Sequence, residues 1–134
     1  MSAEKIARYV LVTNALINWT LSLPGILDPD AVAVRFGGPL PNYPFVIRLW
    51  SSLVFMFGLM FWETSRDVRG KRALFKYNWI EKSITACCVT LGYWTGDVPP
   101  RLMALIVLTN WLWIPLLVFL DIRIGRLACA RPAG

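Results

Sequence analysis

Ala73–Trp94, ALFKYNWIEKSITACCVTLGYW, is an apolar run that carries Glu81 and Lys82 near its middle. As a helix it rises about 33 Å, enough to cross a hydrocarbon core about 30 Å thick. Read as a membrane span, it places two ionisable side chains halfway through lipid, where each is costly. They must face protein or water, and other helices must gather around that face.

Three further runs supply those helices. The first is about residues 6–23, after a short charged segment and before Pro24-Gly25. A charged start and an apolar stretch also describe a signal peptide. Asn14, Asn18 and Thr20 break the apolar region, however, and Ser22-Leu23-Pro24 is a poor cleavage site, so the run is retained as a helix. The second is about 45–62, FVIRLWSSLVFMFGLMFW, and the fourth about 101–120, with Pro115 expected to kink it. The expectation is an all-α integral membrane four-helix bundle that forms one domain over residues 1–134.

Two connections differ in character. Residues 27–44, LDPDAVAVRFGGPLPNYP, form a Pro/Gly-dense external loop in which Asp28 caps a short turn with Pro29 at its first position. Ala31 to Phe36 then lies on the membrane surface until Gly37-Gly38 stops it. The loop reads as a connector or as a lid over the bundle mouth. Residues 65–72 are the most basic stretch and cannot enter lipid.

Composition agrees with a bilayer as solvent. The 134 residues are 57% hydrophobic, with mean hydropathy +0.54, more apolar surface than so small a soluble core hides. The net charge of +6 lies in short segments between apolar runs and forms no continuous basic face, which argues against nucleic acid as a partner.

Those charges instead set topology. Lys5 and Arg8, then Arg66, Arg69, Lys71, Arg72 and Lys76, then Arg123, Arg126 and Arg131 fall on one side; only Arg35 and Arg101 fall on the other. By the positive-inside rule both termini are expected in the cytoplasm of a bacterial inner membrane. Trp62 and Trp79 suit the cytoplasmic interface and Trp94 the external one, whereas Trp50, Trp111 and Trp113 read as bundle packing.

Chemistry is sparse. The chain has no His, which argues against haem b and zinc and removes the commonest general base. Cys87, Cys88 and Cys129 show neither metal spacing nor a disulfide framework. Phosphate loops and nucleophile elbows are missing too.

What remains is a polar constellation inside the membrane. Asn78, Glu81, Lys82 and Thr85 lie on neighbouring ridges of the third helix, yet Glu81 and Lys82 diverge by about 100° and are poor partners for each other. Lys82 leans toward the cytoplasmic side, where Glu63 ends the second helix, so a Lys82–Glu63 contact is expected. Asn14, Asn18 and Asn110 fall near mid-membrane, within reach of Glu81 or of one another. The cluster is either interhelical glue or a site for a ligand, proton or ion. Arg48 reads as snorkelling to external phosphates, and Arg66, Arg69, Lys71 and Arg72 as contacts to anionic head groups. Gly92 and Gly96 form a small-xxx-small pair.

In this order the elements resemble a loose class of small four-span bacterial inner-membrane proteins. The likeness rests on the external FGGPLPNYP loop, Arg48 in RLW, Gly58, the SRD turn at 65–67 and Lys82. It implies architecture and not chemistry. Asn78-x-x-Glu81 is also similar to the helix-borne Arg, Asn and Glu pattern of membrane-associated eicosanoid and glutathione enzymes, with Leu74 where that pattern has Arg. With no nucleophile–base pair, the expected role is a non-catalytic subunit or accessory of a larger membrane assembly, or a homo-oligomer. The alternative is a carrier or lipid-modifying enzyme built on Asn14, Glu63, Asn78, Glu81, Lys82 and Asn110.

Overall fold

The computed structural model describes residues 2–37, 42 and 44–129. Its elements are all helical: α1 (Ala3–Leu27), α2 (Pro29–Phe36), α3 (Pro44–Arg66), α4 (Arg72–Thr95), α5 (Pro100–Ile106), a π turn over Val107–Trp111, and α6 (Trp113–Cys129). Three helical segments, Ala3–Leu27, Pro44–Arg66 and Pro100–Arg126, are long and apolar enough to cross a membrane.

Local chemistry sets most boundaries. Ser2 caps α1 by accepting from the Lys5 N–H at 3.3 Å. The helix runs through Pro24 to Leu27, past the Pro24-Gly25 end expected from sequence, and the Asp28 N–H closes the last turn on the Pro24 carbonyl at 2.8 Å. A proline forfeits its own N–H donor and crowds the carbonyl a turn before it, but its own carbonyl and those after it can still accept. Asp28 then caps α2, its Oδ1 accepting from Ala31 N–H at 3.0 Å, and Gly37 ends it at φ 76°. That is the arrangement read from Asp28-Pro29 and Gly37; Gly38 lies outside the described residues, as does Arg131. Between α3 and α4, Asp67 Oδ1 accepts from Gly70 N–H at 2.8 Å and folds the basic segment into a tight turn.

Interruption of the last long helix comes earlier than the expected kink at Pro115. The Pro115 ring would crowd the carbonyl one turn back, at Trp111. Here the ladder widens into a π turn just before it, with Leu112 N–H bonding the Val107 carbonyl at 3.2 Å.

The long helices close into a ring in which α1 touches α3 and α6, and α4 touches α3 and α6. The closest contact is α1 against α3. A Cβ on Gly25 would strike Ser51, and one on Gly58 would strike the Trp19 indole and lie 3.3 Å from the Ala15 carbonyl. Small residues let these backbones approach. Gly92, by contrast, makes room for Val98 in the turn that follows its own helix, so its pairing with Gly96 serves the turn and not a helix interface.

Polar residues face inward. Asn14, Asn18, Ser22, Ser51, Thr64, Ser65, Asn78, Lys82, Asn110 and Asp121 are all buried, while Leu16, Leu23, Leu53, Met56, Leu108, Leu112 and Phe119 are exposed. An apolar outer surface around a partly polar interior inverts the usual pattern of water-soluble proteins.

Candidate functional site

At one end of the bundle, ion pairs tie the chain together. Arg69 meets Glu4 at 2.9 Å, Lys71 meets Glu63 at 2.7 Å, Arg66 meets Glu63 at 3.5 Å, and Arg72 meets Asp121 at 3.7 Å. Glu63 follows directly on the apolar run of α3, and its Oε2 accepts from Lys71 Nζ at 2.7 Å. It is therefore the partner of Lys71 and Arg66 and not of Lys82. The expected Lys82–Glu63 contact does not form, because Lys71 in the turn after α3 reaches that carboxylate with less desolvation than a buried lysine would suffer. Arg66, Arg69, Lys71 and Arg72, read as head-group contacts, thus all have carboxylate partners within the chain; Arg48 is exposed.

Asp121 is the residue that sequence reasoning missed. It is 7% exposed and accepts from Trp79 Nε1 at 3.3 Å besides facing Arg72. The absence of a side chain at Gly125 leaves space for the Arg72 guanidinium. Its place next to Arg123 and Arg126, just after the apolar run expected over about 101–120, concealed it among exit charges. The available signal was its position four residues before that glycine.

Lys82 lies deeper and is 1% exposed. Its Nζ donates to the Thr109 carbonyl at 3.0 Å and sits 5.2 Å from the Phe61 ring centre. The acceptor belongs to the π turn, where splayed carbonyls are open to outside donors. Thus α4 is pinned to the irregular part of the neighbouring helix by a hydrogen bond, and α3 lays an aromatic face over the cation.

On the neighbouring ridge, Glu81 points elsewhere. It lies on the wall of a cavity of about 280 Å³ between the helices. Asn18, Glu81, Thr85, Thr109 and Asn110 supply its deep polar surface; Ile47, Trp50, Leu102 and Leu105 supply apolar walls; Val32, Ala33 and Phe36 of α2 line it as well. The short helix α2 therefore contributes directly to the cavity, the placement a lid requires.

Hydrogen bonding inside the cavity is incomplete. Glu81 Oε1 accepts from Thr85 Oγ1 at 3.4 Å, while Glu81 Oε2 and Asn18 Nδ2 are shielded and have no partner among the described residues. Asn110 Nδ2 donates to Thr109 Oγ1 at 3.0 Å, and Asn14 Nδ2 to the Val10 carbonyl at 2.9 Å. The asparagines therefore do not satisfy Glu81. Asn14 and Asn78 are sealed in the packing away from the cavity.

Of the sequence candidates, the structure brings Glu81 and Asn110 to one cavity, together with Asn18. Lys82 stands behind them, and Glu63 belongs to the ion-paired end. Among the described residues no three of His, Cys, Asp and Glu converge as metal ligands would. No family model, curated protein or solved structure matches this chain, so its site is read from its own geometry.

Proposed function

We propose that this chain is a four-span membrane protein that binds a small amphiphile in the cavity beside α2, as a membrane-embedded binding protein or carrier. The observation that carries this reading is Glu81 Oε2, an unpartnered acceptor shielded within a cavity whose other walls are largely apolar. Small-molecule sites combine apolar walls with a few placed polar groups in this way. An accessory role in a larger assembly rests on the lack of a nucleophile–base pair and on the apolar outer surface, which acyl chains meet equally well.

A fourth span, α4, is supported by the direction of its side chains. Its mean hydropathy is lowered by Asn78, Glu81 and Lys82, yet Asn78 and Lys82 are buried and Glu81 faces the cavity. Outward it presents Leu74, Tyr77, Ile84, Cys87, Cys88 and Leu91, a surface compatible with lipid. The excess of Lys and Arg at the ion-paired end supports a cytoplasmic side for that end, and for both termini, in a bacterial inner membrane. The cavity and α2 then lie toward the external face.

The test is saturable binding of short-chain amphiphiles to the protein in lipid nanodiscs, with empty discs subtracted. Binding of one molecule per chain is expected, and Ala33→Trp, which fills the cavity from α2, abolishes it. Failure of every head group to saturate, or unchanged binding to Ala33→Trp, refutes the ligand reading.

A further inference from the structure

Resting on that ligand-site reading, the geometry points to the ligand class: we infer that the cavity takes a lipophilic amine, with its nitrogen on Glu81 and its hydrocarbon part along Ile47, Trp50 and Leu102.

The first reason is that, among the described residues, no cation of the chain forms a salt bridge with Glu81. Lys82, next to it in sequence, leaves α4 about 100° away and gives its ammonium to the Thr109 carbonyl at 3.0 Å under the Phe61 ring at 5.2 Å. Arg48 and Arg101 are exposed. Among the described residues the only hydrogen bond to Glu81 is the 3.4 Å contact from Thr85. A buried carboxyl so placed, on the wall of a cavity, has room for a partner from outside the chain.

The second reason is charge balance, which selects among head groups. A neutral amine meeting a carboxylic acid and an ammonium meeting a carboxylate are the same pair with the proton on opposite atoms. Either way the sum of the two groups is zero, so the pair leaves no net charge in a medium where an uncompensated one is costly. An alcohol leaves a net charge in the cavity unless the carboxyl is protonated, whereas the pair with an amine is neutral for either position of the proton. A carboxylate ligand beside an ionised Glu81 would set like charges together, and the neutral amides of Asn18 and Asn110 do not offset that repulsion.

The third reason is size. A cavity of about 280 Å³ lies just below the span of roughly 300–1,000 Å³ of drug-sized sites, which favours a short chain or single ring over a phospholipid.

Calorimetry in nanodiscs with n-octylamine, n-octanol and n-octanoate separates the possibilities, because the three differ only in head group. The amine is expected to saturate at one per chain with affinity about tenfold or more above the alcohol, as a charge-assisted hydrogen bond supplies. In Glu81→Gln that advantage disappears while alcohol binding persists; Glu81→Asp, which keeps the charge on a shorter stem, retains part of it. Equal affinities for amine and alcohol in the unaltered protein, or tightest binding by octanoate, overturn the amine assignment while leaving a ligand cavity. Saturation by none of the three removes the cavity reading itself.

Discussion

Gly58 and Phe61, one turn apart on α3, do different things for the interior. Gly58 is a notch: the Trp19 indole of α1 lies in the space a methyl group would need, stacked against Phe55 and Trp62 at 6.1 and 6.0 Å. Gly58→Val forces Trp19 outward and separates the closest helix pair, so a loss of about 1–3 kcal/mol is expected, seen as a lower midpoint of thermal unfolding in detergent. Phe61 instead offers its ring face to Lys82. Phe61→Leu keeps an apolar side chain but removes the π system, and stability should fall by about 1–2 kcal/mol. Should Lys82→Met, Phe61→Leu and the double variant lose stability additively, the ring and the ammonium are not coupled.

At the scale of elements, α2 and the π turn are the parts that shape the cavity, and both owe their form to local rules. An eight-residue helix is marginal by itself, so its two caps matter more than in a long span. Asp28→Ala removes the Ala31 N–H acceptor at a cost of about 0.5–2 kcal/mol. Amide exchange across Pro29–Phe36 should quicken while the α1 amides stay protected; simultaneous quickening in α1 would mean that α2 does not open independently. The π turn owes its place to Pro115, and from there its Thr109 carbonyl receives Lys82. The caps of α2 were legible in Asp28-Pro29 and Gly37. A widened turn was not, because proline signals a disrupted ladder without saying whether the helix bends or expands.

For the whole molecule, the proposed orientation makes a labelling pattern. In intact cells a membrane-impermeant maleimide should modify Cys at position 37 (Gly37→Cys) and leave Cys at position 69 (Arg69→Cys) untouched until the membrane is opened, both made in a Cys-free background. The opposite pattern would invert the protein and place the cavity on the cytoplasmic side. The ion-paired end gathers Glu4 at the start of α1, the α3–α4 turn and Asp121 of α6, so charge clusters that are far apart in sequence meet at one end of the bundle.

That the described chain is helical, and that three of its four apolar runs are long and apolar enough to cross a membrane, followed from the sequence alone, because hydropathy, proline, glycine and caps act over a few neighbouring residues. The destinations of the polar side chains did not follow. Lys82 finds its acceptor 27 residues on, and Trp79 finds Asp121 at 42; such pairings depend on how each helix is rotated about its axis, which close packing at Gly25 and Gly58 helps to set. Only the tertiary structure could separate Glu81 from Lys82, giving one an internal partner and leaving the other facing a cavity, since two neighbours on one helix point to different places and only the surrounding helices determine what each one meets.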